Sequence, residues 1–373
     1  MSSRQPLPNW ALNVLMPAMN VLLALIVGGL AVAVIGENPF EAMKVLAYGA
    51  FGTGTGMGFT LHFATSFIFT GLAVAVAFHA GLFNIGGEGQ AYVAGLGAIM
   101  MALWLDQTHW IIVLFASTFA AMALGAIWAI IPGYLQAKRG SHIVITTIMF
   151  NFIASAFMSY MLARVITNPG ANAETRTIAE AGRLPLMAEY FSYFKYSPLN
   201  VTFIFGILAL IFVYVLIWRT KLGFKIRTLG SNPEAARYAG INAVTIIMIA
   251  MAIAGALAGL MAVNEAVGVQ KRLVVGYVQG FGFVGIAVAF MGRAHPVGIA
   301  FAAVLFGALY QGGLELAFVM PSVPSDLVVV IQALVILFSG AMDEMFKPML
   351  ERIFGAFRSP SGNQDDTAEK KEV

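Results

Sequence analysis

The chain has 373 residues, of which 60% are hydrophobic and 10% are charged, against roughly 25% charged residues in a soluble domain. Its long apolar runs are continuous and lack the alternation of a membrane β-barrel, so they predict an all-α, polytopic membrane protein. The chain has no cysteine, which excludes disulfides, thiolate metal sites and cysteine nucleophiles, and its net charge is a modest +3.

The first apolar run predicts a membrane span at 14–35, preceded by an N-terminal segment, 1–13. A cleavable signal peptide is the alternative, because Ala31-Val32-Ala33 matches a small-x-small cleavage pattern, but the run is longer than a signal-peptide core. The glycine- and threonine-rich run at 51–58 predicts a flexible connection. It is not a phosphate-binding loop, because no Gly-Lys-Ser/Thr follows it.

Nine further apolar runs predict about ten spans, so that the transmembrane domain covers 14–342. The nine lie at 59–79, 91–105, 110–131, 143–163, 201–218, 243–263, 281–291, 297–319 and 325–342. The run at 281–291 is short enough to be a half-span, which leaves nine or eleven spans as alternatives. The tail, 343–373, becomes increasingly polar, and we expect its end to be disordered.

The distribution of lysine and arginine predicts which side of the membrane each loop faces. With ten spans both termini share one side, and that side holds fourteen of the 21 Lys and Arg residues. The other side holds the remaining seven, which are Lys44, Arg164, Arg176, Arg183, Lys195, Lys271 and Arg272. Because basic loops stay in the cytoplasm, we expect cytoplasmic termini, a cytoplasmic loop at 219–242 and an extracytoplasmic loop at 164–199.

Two short segments resemble each other across the halves of the chain. Residues 69–75 read F-T-G-L-A-V-A, and residues 283–289 read F-V-G-I-A-V-A. An internal duplication would produce this similarity, and so would a shared composition of glycine, alanine and valine.

The sequence contains no recognisable catalytic constellation. The histidines have no metal-binding spacing, and there is neither a Ser-His-Asp order nor a Walker A motif. We therefore expect no catalytic residue, no metal site and no cofactor bound by this chain, so that energy for transport must come from a partner or an ion gradient.

Ion-coupled carriers keep acidic residues at mid-span, whereas Glu265, Glu315 and Asp326 fall near span ends. The mid-span polar residues, which we interpret as interhelical hydrogen-bonding groups, are Asn151, Gln311 and Gln332.

The segment G-L-F-N-I-G-G-E-G-Q at 81–90 has the composition of a broken helix. Its four glycines permit non-helical backbone, whose free polar groups must line protein or water. Discontinuous helices mark substrate paths in transporters. The candidate residues for a translocation path or gate are Asn84, Gly86, Gly87, Glu88 and Gln90. The alternative is a tight cytoplasmic turn in which Glu88 is merely solvated.

The basic loop after the sixth span contains a short helix with a signal at each end. Asn232 is a good N-cap, Pro233 suits the first helical position, and Glu234 adds negative charge to the first turn. Gly240 suits a left-handed C-terminal cap, so the helix should cover 233–239. About two turns are too few for stability in isolation, which predicts a docking partner. An ordinary structured loop is the alternative.

The motifs at 81–90 and 232–242, together with G-x-G-F-x-G-I-A-V-A-F-M-G at 280–292, resemble the permease subunits of ATP-binding-cassette (ABC) importers. The resemblance covers about 60–342 and points to the branched-chain amino acid, ribose and nucleoside group. Within it, nucleoside or simple-sugar permeases are more similar than branched-chain amino acid permeases. An ion-gradient-driven secondary transporter is the alternative.

The resemblance implies a set of partners in a bacterial plasma membrane. They are two ABC ATPase subunits that use ATP and Mg, a second, homologous permease, an extracytoplasmic substrate-binding (lipo)protein, a small-molecule solute and membrane lipid, but no nucleic acid. It also implies a coupling helix that rests on the ATPase, with the solute crossing between the two permeases. The coupling-helix residues would be Asn232, Pro233, Glu234, Ala235, Ala236, Arg237, Tyr238, Ala239 and Gly240.

Overall fold

The computed structural model describes nearly all of the chain between the first predicted span and the ninth. The described residues are 15–167, 173–323, 327, 329–334, 337–338 and 351. Residues 1–14, half of the predicted tenth span and nearly all of the tail lie outside this set. Within it, the only β-pairing is two isolated bridges, Glu174 with Val274 and Leu186 with Asn200.

The described residues fold into α-helices joined by short turns. In chain order they are α1 (Met16–Ile35), α2 (Pro39–Phe51), α3 (Gly54–His79), α4 (Gly87–Leu105), α5 (Trp110–Arg139), α6 (Ile143–Tyr160), α7 (Thr202–Arg219), α8 (Lys221–Ser231), α9 (Pro233–Tyr238), α10 (Ala243–Ala262), α11 (Phe281–Met291) and α12 (Pro296–Val319). Two π-helical segments continue existing helices. Met161–Val165 extends α6, and Val263–Gln270 extends α10.

The helices agree with the predicted spans in type and largely in position. In the described part of the chain, six helices are long and apolar enough to cross a membrane: α3, α5, α6 and α10 with their π-segments, α7 and α12. Helix α11 has 11 residues, a length of about 16 Å, so it crosses only about half of a bilayer core. The total of about ten spans stays a prediction.

The expected flexible connection at 51–58 is wrong, because this glycine-rich run is largely helical. Residues from Gly54 onward form the first turns of α3, where the Thr53 hydroxyl accepts a hydrogen bond from Gly56 N at 3.0 Å. A Cβ on Gly56 would lie 2.1 Å from the carbonyl oxygen of Gly49, so glycine permits close packing of α3 on α2.

Helix α3 lies at the centre of the bundle and packs against α2, α7, α10, α11 and α12. In its most apolar window 83% of the residues are buried, against 22–33% in α5, in α7 and in α6 with its π-segment. The peripheral helices therefore present apolar side chains outward, as lipid-facing helices do, whereas most of α3 faces other helices.

The two similar segments at 69–75 and 283–289 lie on α3 and α11 and pack against each other. A Cβ on Gly71 would lie 3.0 Å from the Val288 side chain, and one on Gly285 would lie 2.5 Å from Thr70. Glycine at the corresponding positions of both segments thus permits the crossing of these two helices. Whether duplication produced them stays a prediction.

The loops gather at two opposite ends of the bundle. At one end, α8 meets the turn after α3, and His79 Nε2 lies 3.0 Å from the carbonyl oxygen of Ala294. At the other end, Arg272 forms an ion pair with Glu174 at 3.0 Å, and Ile178 N donates to the carbonyl of Lys271 at 2.8 Å. Lys271 and Arg272 therefore lie beside the 164–199 loop, on the side that the count of ten spans assigns to them, although the preference of basic residues for the cytoplasm argues against that side.

A close crossing of two long helices brings α5 and α10 together at two glycines. A Cβ on Gly255 would lie 2.2 Å from the carbonyl oxygen of Gly125, and a Cβ on Gly125 would meet Gly255 O at 2.2 Å. Small residues at such a crossing let two backbones approach, which membrane helices use in place of a hydrophobic driving force.

We predict that Gly255→Ala destabilises the protein by about 1–3 kcal/mol, because the added methyl group forces the two backbones apart. The matched control is Gly206→Ala on α7, where a Cβ would lie 3.6 Å from Thr65, an ordinary contact distance. The apparent melting temperature of the purified protein in detergent should fall by several degrees for Gly255→Ala only. Equal melting temperatures for the two variants would contradict the tight crossing.

Candidate functional site

The glycine-rich segment at 81–90 breaks the helical path between α3 and α4. Helix α3 ends at His79, residues 80–86 are non-helical, and α4 begins at Gly87. Gly81 has φ +75°, a conformation that favours glycine. The backbone at the end of α3 packs tightly on α8, because a Cβ on Gly230 would lie only 2.3 Å from His79 O. The non-helical segment therefore begins in contact with α8.

Asn84 and Gln90 are buried and bind each other across the break. Asn84 Nδ2 donates to Gln90 Oε1 and Gln90 Nε2 donates to Asn84 Oδ1, both at 3.1 Å. Asn84 Oδ1 also accepts from Gly86 N at 2.9 Å. Because this amide pair satisfies its own polar atoms, the two side chains hold the break together and do not present free groups to a solute.

Helix α6 supplies the other partners for the non-helical backbone. Asn151 Nδ2 donates to Ile85 O at 3.0 Å, and Asn151 Oδ1 accepts from Gly89 N at 2.9 Å. Thr147 Oγ1 lies 3.3 Å from Ile85 N and accepts its hydrogen bond. Asn151 is therefore an interhelical hydrogen-bonding group, as the sequence indicated, and its partner is irregular backbone.

Glu88 is half-buried, and it binds the N-terminus of α11. One carboxylate oxygen accepts from Gly280 N at 2.8 Å, and the other accepts from Gly282 N at 2.7 Å. A carboxylate here satisfies orphan amide groups and interacts favourably with the helix dipole. The alternative of a merely solvated Glu88 in a cytoplasmic turn is therefore wrong.

The Glu88 contact lies well inside the bundle. The C-terminal end of α11 is followed by Ala294, which contacts His79 at the end of α3. The start of α11 is about 16 Å further in, near the middle of a bilayer core of about 30 Å. Two helix N-termini, those of α4 and α11, thus lie near mid-depth beside a single carboxylate.

A second group of buried polar side chains was not found by sequence reasoning. This buried polar cluster consists of His62, Ser66, Asn200, Thr202, Asn264 and Glu265. Sequence reasoning placed Glu265 near a span end and did not connect it with His62. The available signal was the presence of ionisable side chains in two apolar helices, since such groups need a partner in the membrane.

The contacts within the buried polar cluster join α3 to the π-helical segment Val263–Gln270. Glu265 Oε1 accepts from Ser66 Oγ at 2.6 Å and lies 3.3 Å from His62 Nε2. Asn264 Nδ2 donates to Ser66 Oγ at 2.8 Å, and its Oδ1 accepts from Thr202 Oγ1 at 2.7 Å. The cluster therefore ties the centre of the bundle to the start of α7, and it offers no site for nucleophilic or metal chemistry.

The predicted short helix of the basic loop is α9, Pro233–Tyr238, which ends one residue before the predicted boundary. Asn232 Oδ1 accepts from Glu234 N at 2.9 Å and from Ala235 N at 3.0 Å, so it is an N-cap as predicted. Gly240 has φ +72° and follows the C-cap.

A Schellman motif closes the other end of α9. Gly240 N donates to Arg237 O at 3.0 Å, and Ile241 N donates to Ala236 O at 2.9 Å. Ala236 is buried, whereas Tyr238 is 94% exposed. The remaining positions from Asn232 to Gly240 are also exposed. The helix is thus fixed at both ends and presents almost its whole surface outward.

In the described residues, no three His, Asp or Glu side chains lie close enough together to hold a metal ion. The buried polar groups described above serve one another or the backbone. The surface of α9 and the region around the Glu88 contact are the two candidate sites that the predicted residues define.

Residues 56–340 match the family described as "Branched-chain amino acid transport system / permease component". The chain is 36% identical over 329 residues to the guanosine ABC transporter permease protein NupP of Bacillus subtilis, covering 87% of this chain and 92% of that protein. It is 34% identical over 342 residues to the glucose ABC transporter permease protein TsgB13 of Haloferax volcanii, covering 90% and 89%. It is 33% identical over 333 residues to the nucleoside ABC transporter permease protein NupB of Lactococcus lactis, covering 87% and 90%. No solved structure matches the chain significantly.

We predict that Glu88→Gln lowers the free energy of unfolding by about 2 kcal/mol, because a neutral amide is a weaker acceptor for the two α11 amides than a carboxylate. The matched control is Glu41→Gln, an exposed residue in the first turn of α2. Glu88→Gln should lower the apparent melting temperature in detergent clearly more than Glu41→Gln, because the exposed Glu41 loses only a weak interaction with the α2 dipole. An unchanged value would show that the carboxylate does not stabilise the start of α11.

Proposed function

We propose that this chain, which belongs to the branched-chain amino acid transport system / permease component family, forms the translocation path for a nucleoside. As a member of that family it is a permease subunit of an ABC importer in the plasma membrane, and it is not an enzyme. ATPase and substrate-binding partners follow from this membership in general terms. A simple sugar is the second candidate solute, because one of the similar permeases is named for glucose.

The observation that carries the coupling part of the proposal is the exposed, doubly capped helix α9. A helix of six residues cannot be stable on its own, yet both of its ends are fixed and its surface is open. This combination suits a helix that docks into a groove of another subunit. We propose that residues 232–240 transmit ATP hydrolysis by two ATPase subunits, which bind the ATP and Mg, to this chain. The other proposed partners are a homologous second permease and an extracytoplasmic (lipo)protein that delivers the solute.

We further propose that the broken segment shapes the translocation path indirectly, by positioning the neighbouring helices and not by contacting the solute. The amide pair of Asn84 and Gln90 is satisfied internally, and Gly86 and Gly87 allow the chain to turn into α4. Glu88 then fixes the start of α11 opposite this turn. These five residues would set the position of the two helix N-termini while other side chains touch the solute.

We predict that Gly240→Val lowers solute uptake about tenfold, because a β-branched residue is strained in the left-handed conformation of the α9 cap. ATP hydrolysis by the complex should continue but no longer depend on solute. The matched control is Gly140→Val at the C-cap of α5, where φ is +69° and the space is equally open. Uptake that stays coupled to ATP hydrolysis in Gly240→Val would refute the coupling role.

The proposed topology has about ten spans with both termini in the cytoplasm, and it can be tested because the chain lacks cysteine. We predict that a membrane-impermeant maleimide added to intact cells labels Tyr193→Cys, an exposed position of the 164–199 loop. Lys225→Cys, an exposed position on α8, should be labelled only after the membrane is permeabilised. The reverse pattern would invert the proposed topology.

A further inference from the structure

Aromatic side chains from α3, α11 and α12 meet beside the Glu88 contact. The Phe281 ring lies edge-on to its neighbours, with centroid distances of 5.9 Å to Phe63, 5.3 Å to Phe67 and 5.6 Å to Tyr310. The rings of Phe63 and Tyr310 are 5.3 Å apart. Phe67 and Phe281 are fully buried, whereas Phe63 and Tyr310 are half-exposed. The half-exposed rings of Phe63 and Tyr310 thus pack on the buried Phe281 ring and form one partly exposed aromatic surface. We call these two residues the aromatic wall.

The Glu88 carboxylate fixes the ring that supports the aromatic wall. It binds the backbone amides of Gly280 and Gly282, which flank Phe281 directly. Gly282 also packs closely on α4, since a Cβ there would lie 2.3 Å from Glu88 N. Edge-to-face contacts between rings have a defined geometry, so fixing Phe281 also fixes the two half-exposed rings.

The aromatic wall lies inside the membrane. Phe63 is 16 residues before His79 at the end of α3, a rise of about 24 Å. Tyr310 is 14 residues after Pro296 at the start of α12, a rise of about 21 Å. With a hydrocarbon core of about 30 Å, both rings lie well away from the loops at that end.

The chemistry of this wall differs from that of a lipid-facing surface. Within the described residues, the Tyr310 hydroxyl has no hydrogen-bond partner, and Glu88 is only half-buried. A phenol and a carboxylate are costly to expose to lipid tails, where no water satisfies them. Elsewhere on α12, the strongly exposed side chains Phe301, Leu314 and Phe318 are all apolar. The aromatic wall therefore suits a polar space better than lipid, and the solute path of a permease provides such a space.

The charges around the aromatic wall favour an uncharged solute. Helices α3, α4, α11 and α12 contain no lysine or arginine. The one histidine beside the wall, His62, lies 5.2 Å from Phe63 between ring centroids, but it is buried and 3.3 Å from Glu265. A solute carboxylate or phosphate would therefore find no free cationic partner here, and the buried charge would be costly. The absence of a free cation disfavours amino acids and nucleotides as solutes. The remaining candidates are neutral solutes with a flat face that can stack on an aromatic ring.

We propose that Phe63 and Tyr310 bind the planar base of a nucleoside during its passage, with the Tyr310 hydroxyl available for a hydrogen bond to it. The proposal rests on the transport function proposed above and names the residues and the solute class. Stacking of a base on an aromatic ring is tolerant of which base is present, because every base has a π-face. Glu88 acts through Phe281 as a positioning residue and does not touch the solute.

The test uses the complete transporter in cells, with radiolabelled guanosine and glucose as probes and the initial uptake rate at sub-saturating solute as the readout, because this rate responds to a lost binding contact. Phe63→Leu removes a stacking face at similar volume, and it should lower guanosine uptake about tenfold, as expected for the loss of one base-stacking contact. Phe63→Tyr keeps the ring and should retain most of the rate. Tyr310→Leu should lower the rate as Phe63→Leu does, and Tyr310→Phe should have a smaller effect.

The matched control is Phe301→Leu, the same substitution at a strongly exposed position of α12. It should leave uptake unchanged, and co-purification of the ATPase subunits should be equal for all variants. The proposal is overturned if Phe63→Leu and Tyr310→Leu assemble normally and keep full guanosine uptake. It is also overturned if the unaltered transporter imports glucose and no nucleoside. If the unaltered transporter shows no ATP-dependent uptake of either guanosine or glucose, the proposed function itself fails.

Discussion

The arrangement of the broken segment and α11 depends on the contact between the Glu88 carboxylate and the backbone amides of Gly280 and Gly282. Near mid-depth in a membrane no water satisfies the free amides at the start of a helix. A carboxylate from a neighbouring helix satisfies two of them and matches the helix dipole. Because α11 is too short to span a bilayer, its N-terminus must end inside the protein, and this contact provides its partner.

The same requirement explains the other polar side chains near the break. Residues 80–86 are non-helical, and their backbone groups need partners that lipid cannot supply. Asn84 with Gln90 and Asn151 with Thr147 supply them from within the protein. The buried polar cluster does the same for the π-helical segment Val263–Gln270 on the far side of α3. Several of the buried polar residues in this apolar chain therefore lie where helices are interrupted.

Sequence patterns predicted those helices that are determined by residues close together along the chain. Helix α9 is an example, because Asn232, Pro233 and Gly240 form its two caps with neighbouring backbone. The short helix at 281–291 followed from the length of its apolar run. The glycine-rich run at 51–58 was misjudged, because glycine also serves close helix packing, and only the position of α2 against α3 distinguishes packing from a flexible connection.

By itself, the sequence determined that this is a polytopic helical membrane protein with a broken segment at 81–90 and a capped helix in its basic loop. Hydrophobic run lengths, caps and glycine content are local properties, and the chain alone carries them. The tertiary structure decided what Glu88 binds, that His62 pairs with Glu265, and that Phe63 and Tyr310 share one wall. These contacts join residues about 190 to 250 positions apart, and no spacing or periodicity encodes which helices become neighbours.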